Sequence, residues 1–270
     1  MTFAAAIALY SLTGAGFVIY LFRKPPLLLR ALKILFIATV SFHLLTFLSR
    51  WIEAGLLPAS TPLEALNLLV LLSSLAIAPF VLRDATAVLG AFFLPGAAMA
   101  LAFAAPSFGG ARRALAEGHR MWYTLHTLSV ITGEAFLVIA AVASGAYLIH
   151  DRIIRRGDLH LSISRLPPLT VLDALLTGSL AVGFMSVSAG MVLGGLWASA
   201  VGVPFLAIAP KVTAGVILWS VFGLSLHQRL AIGWKGRRTA LLVLFGAVLM
   251  IALFVLVNIF FPWSHGIRLI

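Results

Sequence analysis

The chain has 270 residues, of which 62% are hydrophobic and only 10% charged, with a mean hydropathy of +1.11. Soluble globular proteins carry about 25% charged residues, so there is too little polar surface here to coat a water-soluble particle. The net charge of +11 is spread over short segments between apolar runs, which points to membrane topology rather than nucleic acid, and the lack of cysteine excludes thiol redox chemistry, thiolate metal sites and disulfides within the chain.

A helix needs about 20 apolar residues to cross the hydrocarbon core. Eight runs qualify, at 3–22, 29–49, 62–82, 84–105, 124–149, 169–197, 210–228 and 239–261. The expected fold is an all-α integral membrane protein, a single domain over 1–270 built as a bundle of about eight transmembrane helices. The first run has no basic residue ahead of it. It lacks a signal peptide's charged leader and is expected to remain as a span. The second run carries His43, about two turns from its outer end. The third and fourth are separated only by "RDA", a tight hairpin. "RWIEAG", "STPLEAL" and "RDATA" each offer a carboxylate, but no two are spaced as an acid–base pair.

The fifth run opens at His126, contains Glu134 and ends at His150. Eight helical steps leave Glu134 about 80° round from His126. There it either orients an imidazole or carries a proton, or is a protonated acid bonded to a neighbouring helix. The sixth run is the longest, and its Gly190 and Gly194 form a GxxxG pair that lets a neighbour approach closely. Next comes "GLWASAVGVPFLAIAPKVT" (195–213), with Trp197, no charge before Lys211, and Pro204 and Pro210 as breakers. It reads as an outer connection. The seventh run ends at His227. The eighth holds Asn258, expected in a helix–helix hydrogen bond, and His265 follows it in "NIFFPWSHGI".

Basic residues set the orientation. Connections after the odd-numbered runs hold thirteen: Arg23, Lys24, Arg30, Lys33, Arg83, Arg152, Arg155, Arg156, Arg165, Arg229, Lys235, Arg237 and Arg238. The other side holds six, three of them in "RRALAEGHR". The positive-inside rule puts both termini outside. His126 and His265 then share the outer face, and His150 and His227 the inner one. Two opposed neutral imidazoles make a bis-histidine haem site. Histidine is equally at home at a membrane interface, bonded to water and headgroups. No HExxH, GxSxG or Walker loop occurs, so no independent catalytic constellation is present.

Four stretches, in order, carry a resemblance. "RWIEAGLLPASTPLEALNLLVLLSSL" (50–75) leads an Arg-Trp, a Gly and a Pro into an acid-bearing helix start. "LHTLSVITGEAFLVIAAVASGAYL" (125–148) is a span opened by Leu-His. "LDALLTGSLAVGFMSVSAGMVLGGLWA" (172–198) opens with Leu-Asp and ends in Gly-x-x-Trp-Ala. "LHQRLAIGWKGRRTALLVLFGAVLMIALFVLVNIFFPWSHG" (226–266) runs Leu-His-x-Arg, Gly-Trp-basic-Gly, Val-Asn and Pro-x-x-His. Over about 50–270 the chain resembles the cytochrome c assembly proteins of the CcsA/ResC type.

That family moves haem across the membrane and presents it to apocytochrome c. The resemblance implies haem as cofactor or cargo, its iron held outside by His126 and His265, with His227 as the inner histidine. The inner partner is usually supplied by a second membrane subunit. His150 matches no family position, so the partner of His227 stays open, and His43 and Glu134 are further candidates. The family's tryptophan-rich WWD segment flanks the outer haem. Here Trp197-Ala198 and Pro210-Lys211 match its ends, while the middle lacks both tryptophan and aspartate. The degenerate segment brings in a second reading, a HemX-like regulatory or scaffold membrane protein without haem transport. A third is a small-solute transporter, although no Gly/Pro-interrupted pair of spans in matching halves speaks for it. The expected partners are membrane lipid, a second subunit and apocytochrome c, with no nucleic acid. The expected location is a bacterial-type inner (plasma) membrane.

Overall fold

In the computed structural model, residues 2–23, 25–105, 117–157, 166–202 and 205–260 are described. Every regular element among them is an α-helix: α1 (Thr2–Arg23), α2 (Pro26–Ala54), α3 (Pro62–Val81), α4 (Leu89–Ala104), α5 (Glu117–Arg155), α6 (Leu169–Val201), α7 (Phe205–Leu230) and α8 (Arg237–Phe260). Seven are long and apolar enough to cross a membrane. The exception is α4, whose 16 residues span about 24 Å. The expected fourth span begins late because residues 83–88 form turns, in which the Thr86 hydroxyl bonds the Phe80 carbonyl at 2.6 Å. Its short length is tolerated because it lies inside the protein, with Leu89, Leu94, Leu101 and Ala104 fully buried. A Cβ on Gly14 of α1 would stand 3.3 Å from the backbone at Leu94 and Pro95, so the two helices nearly touch.

Polar residues tie the first three helices together. With Asn67 presenting Oδ1, His43 donates from Nε2 at 2.8 Å, and its Nδ1 accepts from the Tyr10 hydroxyl at 3.1 Å. Ser74 meets the Tyr10 oxygen at 2.7 Å, and Thr13 meets Thr39 at 2.9 Å. Hydrocarbon offers no water to these groups, so they must satisfy one another. The "STPLEAL" carboxylate is also spent on structure. Thr61 and Glu64 form a capping box over Pro62, and Glu64 takes bonds from the Ser60 N–H and hydroxyl at 3.0 and 2.8 Å.

The most intimate pair is α5 and α6. A Cβ on Gly133 would lie 2.7 Å from the Val187 nitrogen and 2.8 Å from the Gly183 carbonyl oxygen, and one on Gly190 would lie 2.9 Å from the Val130 nitrogen. Only glycine allows that backbone contact. At the opposite end Asp173 of α6 receives the Arg229 guanidinium of α7 and, at 3.0 Å, the Gly236 N–H, while Arg229 also bonds the Trp234 carbonyl at 3.1 Å. The Leu-Asp, Leu-His-x-Arg and Gly-Trp-basic-Gly stretches thus meet in one clasp.

The 195–213 stretch differs from its expected form. Helix α6 runs to Val201, where Gly202 closes it in the left-handed conformation (φ 70°), and α7 is already helical from Phe205. Pro210 lies inside α7 instead of breaking it. A proline in the second turn forfeits one backbone bond without ending the helix. What reads as an outer loop is mostly the facing ends of two helices. Asn258 also differs: its Nδ2 bonds the Phe254 carbonyl of its own helix at 2.6 Å.

Candidate functional site

At the end of the bundle that the basic-residue count assigns to the outside, His126 of α5 leans onto α6. Its Nδ1 lies 2.8 Å from the Gly190 carbonyl oxygen. A carbonyl only accepts, so Nδ1 carries the proton, and Nε2 keeps its lone pair. This is the state in which an imidazole coordinates a metal, with its other nitrogen held by a fixed acceptor. The ring occupies space left by a missing side chain: a Cβ on Gly194 would stand 2.6 Å from His126 Cε1. The GxxxG pair thus does two jobs, Gly190 supplying the acceptor and Gly194 the notch.

Trp197 follows on the same helix. Its ring stacks on His126, centroids 6.2 Å apart and planes 24° from parallel. Tyr123, three residues before His126 and so on the same face of α5, meets Trp197 edge-on at 5.8 Å. Behind them Phe47, Leu57, Leu68, Leu71 and Ile131 form a buried apolar cluster, with Trp51 packed against it. The aromatic cluster around Trp197 is thus built from α5 and α2. Tyr123 was not singled out from the sequence; its spacing from His126 was the available signal. Lys211, at the start of α7, is close enough for its charge to act on the His126 ring.

The other candidates occupy different settings. His265 lies outside the described residues. His227 is exposed in the last turn of α7, whereas His150 is buried with Nδ1 2.8 Å from the Pro167 carbonyl. Both nitrogens of His43 are engaged, leaving no lone pair for iron. Glu134 is half-buried in mid-span. No group of three or more His, Asp or Glu able to hold a metal ion occurs among the described residues. A metal already ligated in its own plane needs only one or two further ligands from a protein. His126 fits that need, with one free ring nitrogen beside a flat aromatic surface.

The Cytochrome C assembly protein family model matches residues 56–263. The chain is 34% identical over 137 residues to a cytochrome c biogenesis protein CcsA of Parasynechococcus marenigrum (strain WH8102), covering 50% of this chain and 45% of that relative. It is 26% identical over 239 residues to the CcsA protein of Prochlorococcus marinus (strain MIT 9303), covering 78% of this chain and 75% of the relative. It is 26% identical over 255 residues to that of Prochlorococcus marinus subsp. pastoris (strain CCMP1986), covering 84% and 81%. The chain thus spans about half of the first relative and three quarters or more of the other two.

Proposed function

The chain belongs to the cytochrome c assembly protein family, and on that premise we propose that it handles haem for cytochrome c assembly, holding the iron on the outer side of a bacterial inner membrane through His126. The observation that carries the reading is the His126 setting. Nδ1 is fixed on the Gly190 carbonyl, the ring sits in the Gly194 notch against Trp197, and Nε2 is left with its lone pair. An imidazole held in one tautomer and one orientation binds iron without first losing rotational freedom. His265 is the proposed opposite ligand, and His227 the inner contact at which haem arrives. Because His227 is exposed on the outer surface of α7, its partner is proposed to come from a second membrane subunit. The cargo supplies an iron with affinity for imidazole and a periphery that apocytochrome c thiols can attack.

The test is a reduced-minus-oxidised visible spectrum of the detergent-purified protein. Low-spin bands that His126→Ala removes support the reading, and a protein that takes up no haem refutes it. The second reading, a HemX-like scaffold without haem transport, draws on one observation: between Trp197 and Lys211 no tryptophan remains, and most of that stretch is helical, α6 running to Val201 and α7 starting at Phe205.

A further inference from the structure

Beside the His126 ring lie two buried donors that make no hydrogen bond of regular geometry, the Tyr123 hydroxyl and the Trp197 Nε1. Thr127, one turn along α5, is within reach of the Tyr123 hydroxyl, and the Tyr123 and Trp197 rings are in direct contact. An orphaned buried polar group is costly, and native proteins rarely leave one without a reason. Two that touch, beside an imidazole with a free lone pair, point to a shared acceptor. The indole nitrogen narrows its chemistry, because it can only donate. The missing partner therefore offers acceptor oxygens, and a group with two of them can take the tryptophan and the tyrosine together. The Lys211 charge acts on the His126 ring and favours a negative acceptor on that side, against the opposing Glu64 charge that acts on Tyr123. The remaining orphans, Ser73, Gln228, Thr239 and Asn258, lack this combination: each is a hydroxyl oxygen or an amide carbonyl oxygen.

We propose that Tyr123 and Trp197 form a donor pair that takes a carboxylate of the porphyrin whose iron is held by His126. The proposal rests on the haem reading above and adds to it a recognition element on the chain's own residues. Iron ligation alone fixes an axis but leaves the porphyrin free to turn about it. A carboxylate held at one edge stops that rotation, so the same side of the ring always faces the incoming protein.

The test compares iron protoporphyrin IX with its dimethyl ester, titrated into the full-length protein in phosphatidylcholine nanodiscs and read by absorbance. The free acid should bind the wild type roughly tenfold more tightly than the diester, the worth of about one charge-assisted hydrogen bond. Tyr123→Phe and Trp197→Phe, which keep the rings and delete one donor each, should both shrink that ratio, and the double variant should bring it near one. A His126-dependent spectrum with equal affinity for acid and diester in the wild type overturns the donor pair and leaves the haem reading standing. No His126-dependent spectrum with either porphyrin overturns both. If added phosphatidylglycerol competes equally with acid and diester, the pair belongs to a lipid phosphate, and the proposal fails.

Discussion

The imidazole of His126 stands where a side chain on Gly194 would have to go: a Cβ there would come within 2.6 Å of its Cε1 and 2.7 Å of its Nδ1. Helices α5 and α6 are therefore matched residue to residue, and the match can be broken by one methyl group. Gly194→Ala should push the ring off Trp197 and off the Gly190 carbonyl, at a cost of about 1–3 kcal/mol for overpacking, and lower haem occupancy with it. At Gly195 a Cβ meets nothing within 4 Å. Gly195→Ala should be neutral or slightly stabilising, because alanine favours helix. Thermal unfolding in detergent and the visible spectrum, run on both variants, check the contrast.

His43 should behave in the opposite way. Both its nitrogens are taken, by Tyr10 and Asn67, so it is a strut between α1, α2 and α3. His43→Phe is expected to cost about 2–4 kcal/mol by stranding two buried partners. Haem bound per folded molecule should not change. A loss of haem signal at full thermal stability would instead make His43 a ligand.

The Asp173–Arg229 clasp predicts a local effect at the other end. Asp173→Ala leaves a mostly buried guanidinium without its counter-charge, at about 1–3 kcal/mol, and frees the turn at 231–236 from the Gly236 N–H bond. With Lys235→Cys as reporter in this cysteine-free chain, maleimide labelling should speed up several-fold. Unchanged labelling would mean the turn is held by other contacts.

How much of this could be read from the sequence depends on the range of each interaction. The apolar runs gave seven full-length helices close to their expected places, because a span's length is set locally by the bilayer. The matched family region, 56–263, agrees with the resemblance drawn over about 50–270. His126 and the GxxxG glycines were also visible, but not that they meet, because Gly190 and Gly194 lie 64 and 68 positions further along the chain and spacing encodes only neighbours on one helix. Two features read differently in the sequence for physical reasons. Pro210 reads as a breaker, yet it lies in the second turn of α7, where few helical bonds precede it and the helix continues past it. Residues 84–88 looked apolar enough for a span yet fold as turns, tied through Thr86.

Orientation has its own test. Glu53 lies at the end of α2 on the face assigned to the outside, and Lys235 in the basic turn between α7 and α8; both are exposed. In intact cells Glu53→Cys should react with a membrane-impermeant maleimide, and Lys235→Cys only after permeabilisation. The reverse pattern would invert the bundle and place His126 on the inner side.

His126 Nε2 is the proposed axial ligand of the haem iron. The most direct test is replacement of the side chain by a free one: His126→Gly, purified in detergent with haem, its spectrum recorded with and without added imidazole. The account predicts that the low-spin bands disappear in the variant and return with imidazole, which can enter the space left beside Trp197. Low-spin bands of undiminished intensity in His126→Gly, indifferent to imidazole, would contradict it.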